Sequence, residues 1–292
     1  MNIMQVQPIF DITTEHGEGP IWDVDSQQLY WVDIMQGEYH KGNWESHKVQ
    51  TFSIGQPLGV LAIREKGGLV MATRDGFGFF DEMTNAFTLI DPSPEQYNPK
   101  VRFNDGSVDP AGRFFAGTME WDGGADIGKL FRLDTDHSWQ LLDENIFITN
   151  GMGWNPKKNT YFMIDTLRHV MYAYDYNEAT GEIANRRVHI QFKDDEFPDG
   201  MTIDSEGGFW VAMWGGGKVI HYDSSGIKAN EIQVPALHTT SCCFGGPDLN
   251  VLFITTSKLP LSIEQRNNNP LAGRTFKVET HAKGQIESKF KG

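Results

Sequence analysis

"FPDGMTIDSEGGFWVAMWGGGKVIHYD", residues 197–223, holds most of a structural unit. A Pro-Asp-Gly turn opens a short run, a polar Asp-Ser-Glu-Gly-Gly turn follows, and the nearly continuous apolar run 209–214 comes next. Three glycines then separate that run from the segment 218–222. Short aromatic and β-branched segments punctuated by Gly, Asp and Ser read as consecutive hairpin strands, not as a helix. An isolated hairpin of this kind cannot bury both faces of its apolar strand, so it demands neighbours.

The neighbours lie in the same chain. "GEGPIWDVDSQQLYWVDI" (17–34), "PLGVLAIREKGGLVMAT" (57–73), "NDGSVDPAGRFFAGTM" (104–119), "TNGMGWNPKKNTYFMID" (149–165) and "TSCCFGGPDLNVLFITTS" (240–257) repeat the order of turn, strand, polar turn, apolar strand. Their anchors at Gly19, Gly59, Gly106, Gly151, Gly200 and near Phe244 are spaced by 40, 47, 45, 49 and about 44 residues. A period of about 40 to 50 residues with four strands per unit is the signature of a propeller blade. The prediction is an all-β chain, a six-bladed β-propeller with about four antiparallel strands per blade, forming one domain over residues 1–292. A seven-bladed ring is disfavoured because no unassigned stretch supplies another blade. The segment 4–12, "MQVQPIFDI", is expected to pair with 272–280, "AGRTFKVET", which closes the ring and removes exposed edges.

Charge narrows the function. With 39 acidic against 25 basic residues the net charge is -14, and no Lys/Arg cluster offers the footprint that phosphate binding needs. A nucleic-acid partner is not expected. No apolar run approaches the ~20 residues of a membrane span, and the first residues lack a basic region followed by an apolar one. The expectation is a cytoplasmic protein without membrane association or an obligate protein partner. Cys242 and Cys243 are adjacent, which suits neither a disulfide framework nor a zinc site, and they read as small buried strand residues.

In a propeller the inner strands of all blades start at one mouth of the central channel, so equivalent residues face one another across it. The residue before each anchor glycine is Glu18, Leu58, Asp105, Asn150 and Asp199 in turn. Four of these five side chains carry oxygen, and any one of the four would serve a turn by bonding nearby backbone. Their recurrence in one slot instead points to a hard-oxygen cation site with coordination positions left open for water and substrate. His16, two residues before Glu18, reads as a lone surface histidine. Competing motifs fail: "DVDSQQLYWVDI" has Ile34 where a calcium loop needs Glu, and "WGGGKV" lacks the spacing and hydroxyl of a phosphate loop. No G-x-S-x-G elbow or H-E-x-x-H helix is present.

The ordered blocks "GEGPIW" (17–22), "RFNDGSVDPAGRFFAGTM" (102–119), "ITNGMGW" (148–154), "FPDGMTIDSEGGFWVAMWGGG" (197–217) and "CFGGPDLNVLFITTS" (243–257) resemble the SMP-30/gluconolactonase family, its bacterial sugar lactonase branch in particular. The resemblance implies one divalent metal held by Glu18, Asn150 and Asp199, with Ca²⁺, Zn²⁺, Mn²⁺ and Fe²⁺ all compatible with such donors. It also implies substrate contacts at Arg102 and Asn104 and at either Glu120 or Asp122; Asp199, a carboxylate beside the metal, is the expected general base. The implied reaction is hydrolysis of an aldono-1,4- or 1,5-lactone. A phosphotriesterase on the same metal, or a calcium-binding propeller without catalysis, is the alternative. One departure stands out: relatives often carry Asp where this chain has Gly153.

Overall fold

A computed structural model describes residues 5–292. It contains six four-stranded antiparallel sheets arranged as the blades of a propeller. Inner strands run Gly17–Asp23, Leu58–Ile63, Val101–Val108, Thr149–Trp154, Phe197–Ile203 and His238–Gly245, one per blade in chain order. The turns expected between first and second strands lie where the sequence put them, and the three glycines at 215–217 join two strands.

Each second strand holds a buried apolar run because it is covered on both faces. Adjacent side chains of a strand point to opposite faces. Phe209 accordingly meets Phe162 of blade four at 4.8 Å between ring centroids, while Trp210 meets Phe244 of blade six at 5.5 Å. Phe114 and Phe115 divide likewise between Phe77 of blade two and Trp154 of blade four. With Tyr39–Phe80, Phe77–Phe103 and Trp22–Phe253, an aromatic pair bridges all six blade interfaces. Each such pair adds about 0.5–1.5 kcal/mol beyond its buried area.

Closure follows the expected pairing. Gln7 and Pro8 form a short outer strand opposite Lys277 and Phe276, so the last blade takes its fourth strand from the chain start. Proline is tolerated there because the strand lies at a sheet edge. A second closure was not foreseen in the sequence. The tail 283–292 runs across the channel end opposite the inner-strand starts and touches every blade. Lys289 Nζ pairs with Asp23 of blade one at 3.0 Å, Phe290 N donates to Ile63 O of blade two, and Lys291 N to Gly112 O of blade three. Gln285 reaches Trp154 O of blade four, Ser205 of blade five donates to Lys283 O, and Gly284 donates to Leu249 O of blade six. Phe290 is fully buried.

The tail and the inner strands enclose a cavity of about 110 Å³ within the channel, lined by Asp105, Thr202, Ser241, Gln285 and Glu287 among others. Gly153 lines it too, packed close to Ile203: a Cβ there would lie 3.2 Å from Ile203 Cδ1. Burial pushes the Glu287 carboxyl up to about 7. Cys242 and Cys243 are buried free thiols, as expected.

Candidate active site

At the other mouth, the pairing of all six inner strands is interrupted at one level, by irregularities at Glu18/Ile21, Leu58/Val60, Phe103/Asp105, Asn150/Met152, Pro198/Met201 and Thr239/Ser241. Bulges re-aim side chains, and here they do so in every blade around one axis. Glu18, Asp105, Asn150 and Asp199 are left 3%, 7%, 4% and 6% exposed. Glu18 Oε2 accepts the Gly19 N–H at 2.6 Å and Asp105 Oδ1 the Gly106 N–H at 2.7 Å, so each carboxylate is braced by the glycine that follows it. Glycine is required at 151 and 200 by close approach. A Cβ on Gly151 would lie 2.8 Å from Asp199 O, and one on Gly200 would collide with Ser241 Oγ of the next blade.

Three carboxylates in so dry a place repel one another. Desolvation, then the charges of Asp199 and Asp105, hold Glu18 well above the usual carboxylate range. Desolvation and Asp105 do the same to Asp199, and desolvation pushes Asp105 up to about 6. Arg102 is the cation within their field; burial pushes its guanidinium down to about 10 against the pull of Glu18 and Asp199.

Hydrogen bonds orient the neutral donors. Thr166 Oγ1 donates its one proton to Pro198 O at 2.8 Å, so it must accept from Asn150 Nδ2, also at 2.8 Å. That fixes the amide, turning Asn150 Oδ1 away from Thr166 and onto Asn104 Nδ2 at 3.0 Å. Asn104 also donates to Thr149 O and accepts from Arg102 Nη1 at 2.6 Å. Arg102, Asn104 and Asn150 thus form one hydrogen-bonded chain, with Arg102 in the field of Glu18 and Asp199.

Five of the residues expected from the sequence, Glu18, Arg102, Asn104, Asn150 and Asp199, are therefore brought together. Glu120 and Asp122 are not joined to them by any hydrogen bond among the described residues. Glu120 spends its carboxylate on the Gly124 and Ala125 amides at 2.7 and 2.9 Å, shaping the turn, and Asp122 is exposed. His16 requires correction: it is no surface histidine but 8% exposed, bonded through Nδ1 to Ser257 Oγ at 2.9 Å. Desolvation, helped by Arg102 and His238, pushes its imidazole down to about 3. Thr166 was missed in the sequence, since nothing local shows that a residue 16 positions on would orient Asn150.

The donor set suits a divalent cation. Among the described residues no three His, Cys, Asp or Glu side chains are grouped as a metal site; the set here mixes the Glu18 and Asp199 carboxylates with the Asn150 amide oxygen. The excess of buried negative charge over Arg102 is what a hard cation would neutralise.

The profile of the SMP-30/Gluconolactonase/LRE-like region matches residues 16–258. The chain belongs to that family. It is 36% identical over 282 residues to regucalcin of Danio rerio, covering 95% of both chains. It is 34% identical over 278 residues to 6-deoxy-6-sulfogluconolactonase of Pseudomonas putida, covering 94% of this chain and 95% of that one. Among solved structures, the calcium-binding protein regucalcin of Agrobacterium tumefaciens superimposes with a TM-score of 0.95 at 26% identity, over 99% of this chain and 98% of the other. No helix among the described residues is long and apolar enough to cross a membrane.

Proposed function

We propose that this family member is a lactonase that opens an aldono-1,4- or 1,5-lactone to the aldonic acid with one divalent cation held by Glu18, Asn150 and Asp199. The observation that carries this reading is the convergence of three buried, mutually repelling carboxylates with the Arg102–Asn104–Asn150 chain at the channel mouth. A relative at 34% identity named as a sugar lactonase supports the substrate class. When bound, the cation would polarise the lactone carbonyl, acidify water and balance the carboxylate charge.

The chain's own groups do the rest. Asp199 takes a proton from the attacking water as its oxygen adds to the carbonyl carbon, then returns that proton to the ring oxygen as the acyl C–O bond breaks. Asn104 is held by three hydrogen bonds, so its amide is preorganised to position the substrate without reorganisation. Arg102 commits one nitrogen, Nη1, to Phe103 O and Asn104, and its remaining donors serve the lactone oxygens.

Calcium binding without catalysis is the second reading, favoured by the description of the Agrobacterium neighbour. The decisive experiment is a pH-stat assay of metal-stripped protein on a panel of aldonolactones, with Ca²⁺, Zn²⁺, Mn²⁺ and Fe²⁺ restored in turn. Acid release that returns with one ion supports the lactonase. Tight ion binding with no acid release from any lactone, or release from a phosphotriester alone, rejects it.

A further inference from the structure

The inner strands carry a second ring of side chains above the first. Two positions upstream of Glu18, Asn104, Asn150, Asp199 and Thr240 stand His16, Arg102, Ile148, Phe197 and His238. Arg102 already belongs to the candidate site. The arc opposite it, on blades five, six and one, is aromatic: Trp214 ends the strand paired with Phe197, its ring 5.7 Å from His16 and 4.4 Å from His238.

We propose that His16, Trp214 and His238 form a subsite for the uncharged, hydroxyl-bearing carbon that projects from the lactone ring, and so select which sugar lactone is accepted. This rests on the lactonase reading and deepens it. Three observations carry the proposal. Ser257 Oγ donates its proton to Glu15 O at 3.0 Å, so the 2.9 Å contact with His16 must be an Nδ1–H donation. His16 therefore carries a lone pair on Nε2, for which the described residues offer no hydrogen-bond partner, and a substrate hydroxyl can donate to it.

His238 Nδ1 is buried without a hydrogen-bond partner among the described residues, a condition folded proteins rarely leave unanswered. Trp214 is half-buried, and its indole stands between the two imidazoles as an apolar wall for C–H groups. A sulfonate or phosphate tail would meet a nitrogen lone pair here and the field of three carboxylates beyond, so the arc suits a neutral tail.

The test compares glucono-1,5-lactone with xylono-1,5-lactone, which lacks the exocyclic hydroxymethyl group, in wild type, His16→Phe and Trp214→Ala. His16→Phe keeps the edge contact with Trp214 and removes the acceptor; Trp214→Ala at a half-buried position guards against a folding defect in the first variant. Each variant should lower the glucono/xylono ratio of kcat/KM by about tenfold, the discrimination one hydrogen bond or a small apolar contact supplies. The xylono rate should stay within about twofold.

A 6-sulfonated gluconolactone should be the poorer substrate of the wild type. Equal losses on both lactones, an unchanged ratio in both variants, or a preference for the sulfonated lactone would overturn the subsite. Calorimetric titration with a neutral hexitol separates this from the lactonase reading. If no lactone is hydrolysed, the catalytic reading fails, yet hexitol binding weakened about tenfold by His16→Phe still supports the subsite. Hexitol binding that is absent, or indifferent to both variants, overturns it.

Discussion

Asp105 is the carboxylate whose removal tests the electrostatic account most directly. Its ordinary value of 3.8 is raised to about 6 by desolvation, so the folded protein binds its proton more tightly than the unfolded chain does. The stability this contributes is complete below the unfolded value and is lost as pH rises through about 6. Two units correspond to about 3 kcal/mol. Glu18 and Asp199 are shifted in the same direction, so metal-free wild type should lose stability between about pH 3 and about pH 7, the range that spans the unfolded and folded values of Asp105.

Asp105→Asn keeps an oxygen for the Gly106 N–H and deletes the charge. Its loss of stability over the same interval should be smaller by about 3 kcal/mol, read from urea unfolding of chelator-treated protein at the two pH values. The same variant should gain less stability from a saturating divalent ion, because one of the charges the ion offsets is gone. Superimposable pH profiles for wild type and variant would refute the claim that these three carboxylates share one low-dielectric site.

Asp199→Asn should cut lactone turnover by about 10²–10⁴-fold even at ion concentrations that restore occupancy, as single-turnover assays would show; full activity with ion bound would remove Asp199 as base. Thr166→Val should free the Asn150 amide to flip and weaken ion affinity by about tenfold, measured by calorimetry, with unfolding little changed. Arg102→Ala should raise KM for the lactone while leaving ion affinity within about threefold, since Arg102 is not in the ion's donor set. Phe290→Ala should lower unfolding free energy by about 3–5 kcal/mol through the cavity it leaves.

The ring was legible because it repeats. Turn chemistry and apolar runs recur at a regular spacing, and each blade needs its neighbours to cover both faces of runs such as 209–214. Glu18, Asn150 and Asp199 were legible for the same reason, occupying one slot before an anchor glycine. Asp105 sat in that slot too, but its role as a repelling neighbour depends on burial, which spacing does not report. His16 was misjudged because its burial comes from Ser257, 241 positions away, and from Trp214 of blade five. Between Glu120 and Asp122 the sequence left the choice of substrate contact open, and the glycine-rich turn that engages Glu120 Oε2 through two amides could not be read from spacing. The tail's path was invisible because four of its six blade contacts are backbone hydrogen bonds, open to almost any sequence, and Lys289, Gln285 and Phe290 carry no local pattern that names their distant partners.

That path has a consequence for how the protein is made. The strand at Gln7–Pro8 leaves the ribosome first and waits for Phe276 and Lys277, and the bonds that join all six blades at the far mouth are formed by residues 283–292. Blades can assemble in order during synthesis, but the circle is completed only after nearly the whole chain has emerged. Contacts of such long sequence separation close slowly. A nascent propeller therefore exists as an open arc with two unpaired rims until residues 276–292 have emerged, and that interval is its period of greatest exposure to aggregation and to chaperone capture.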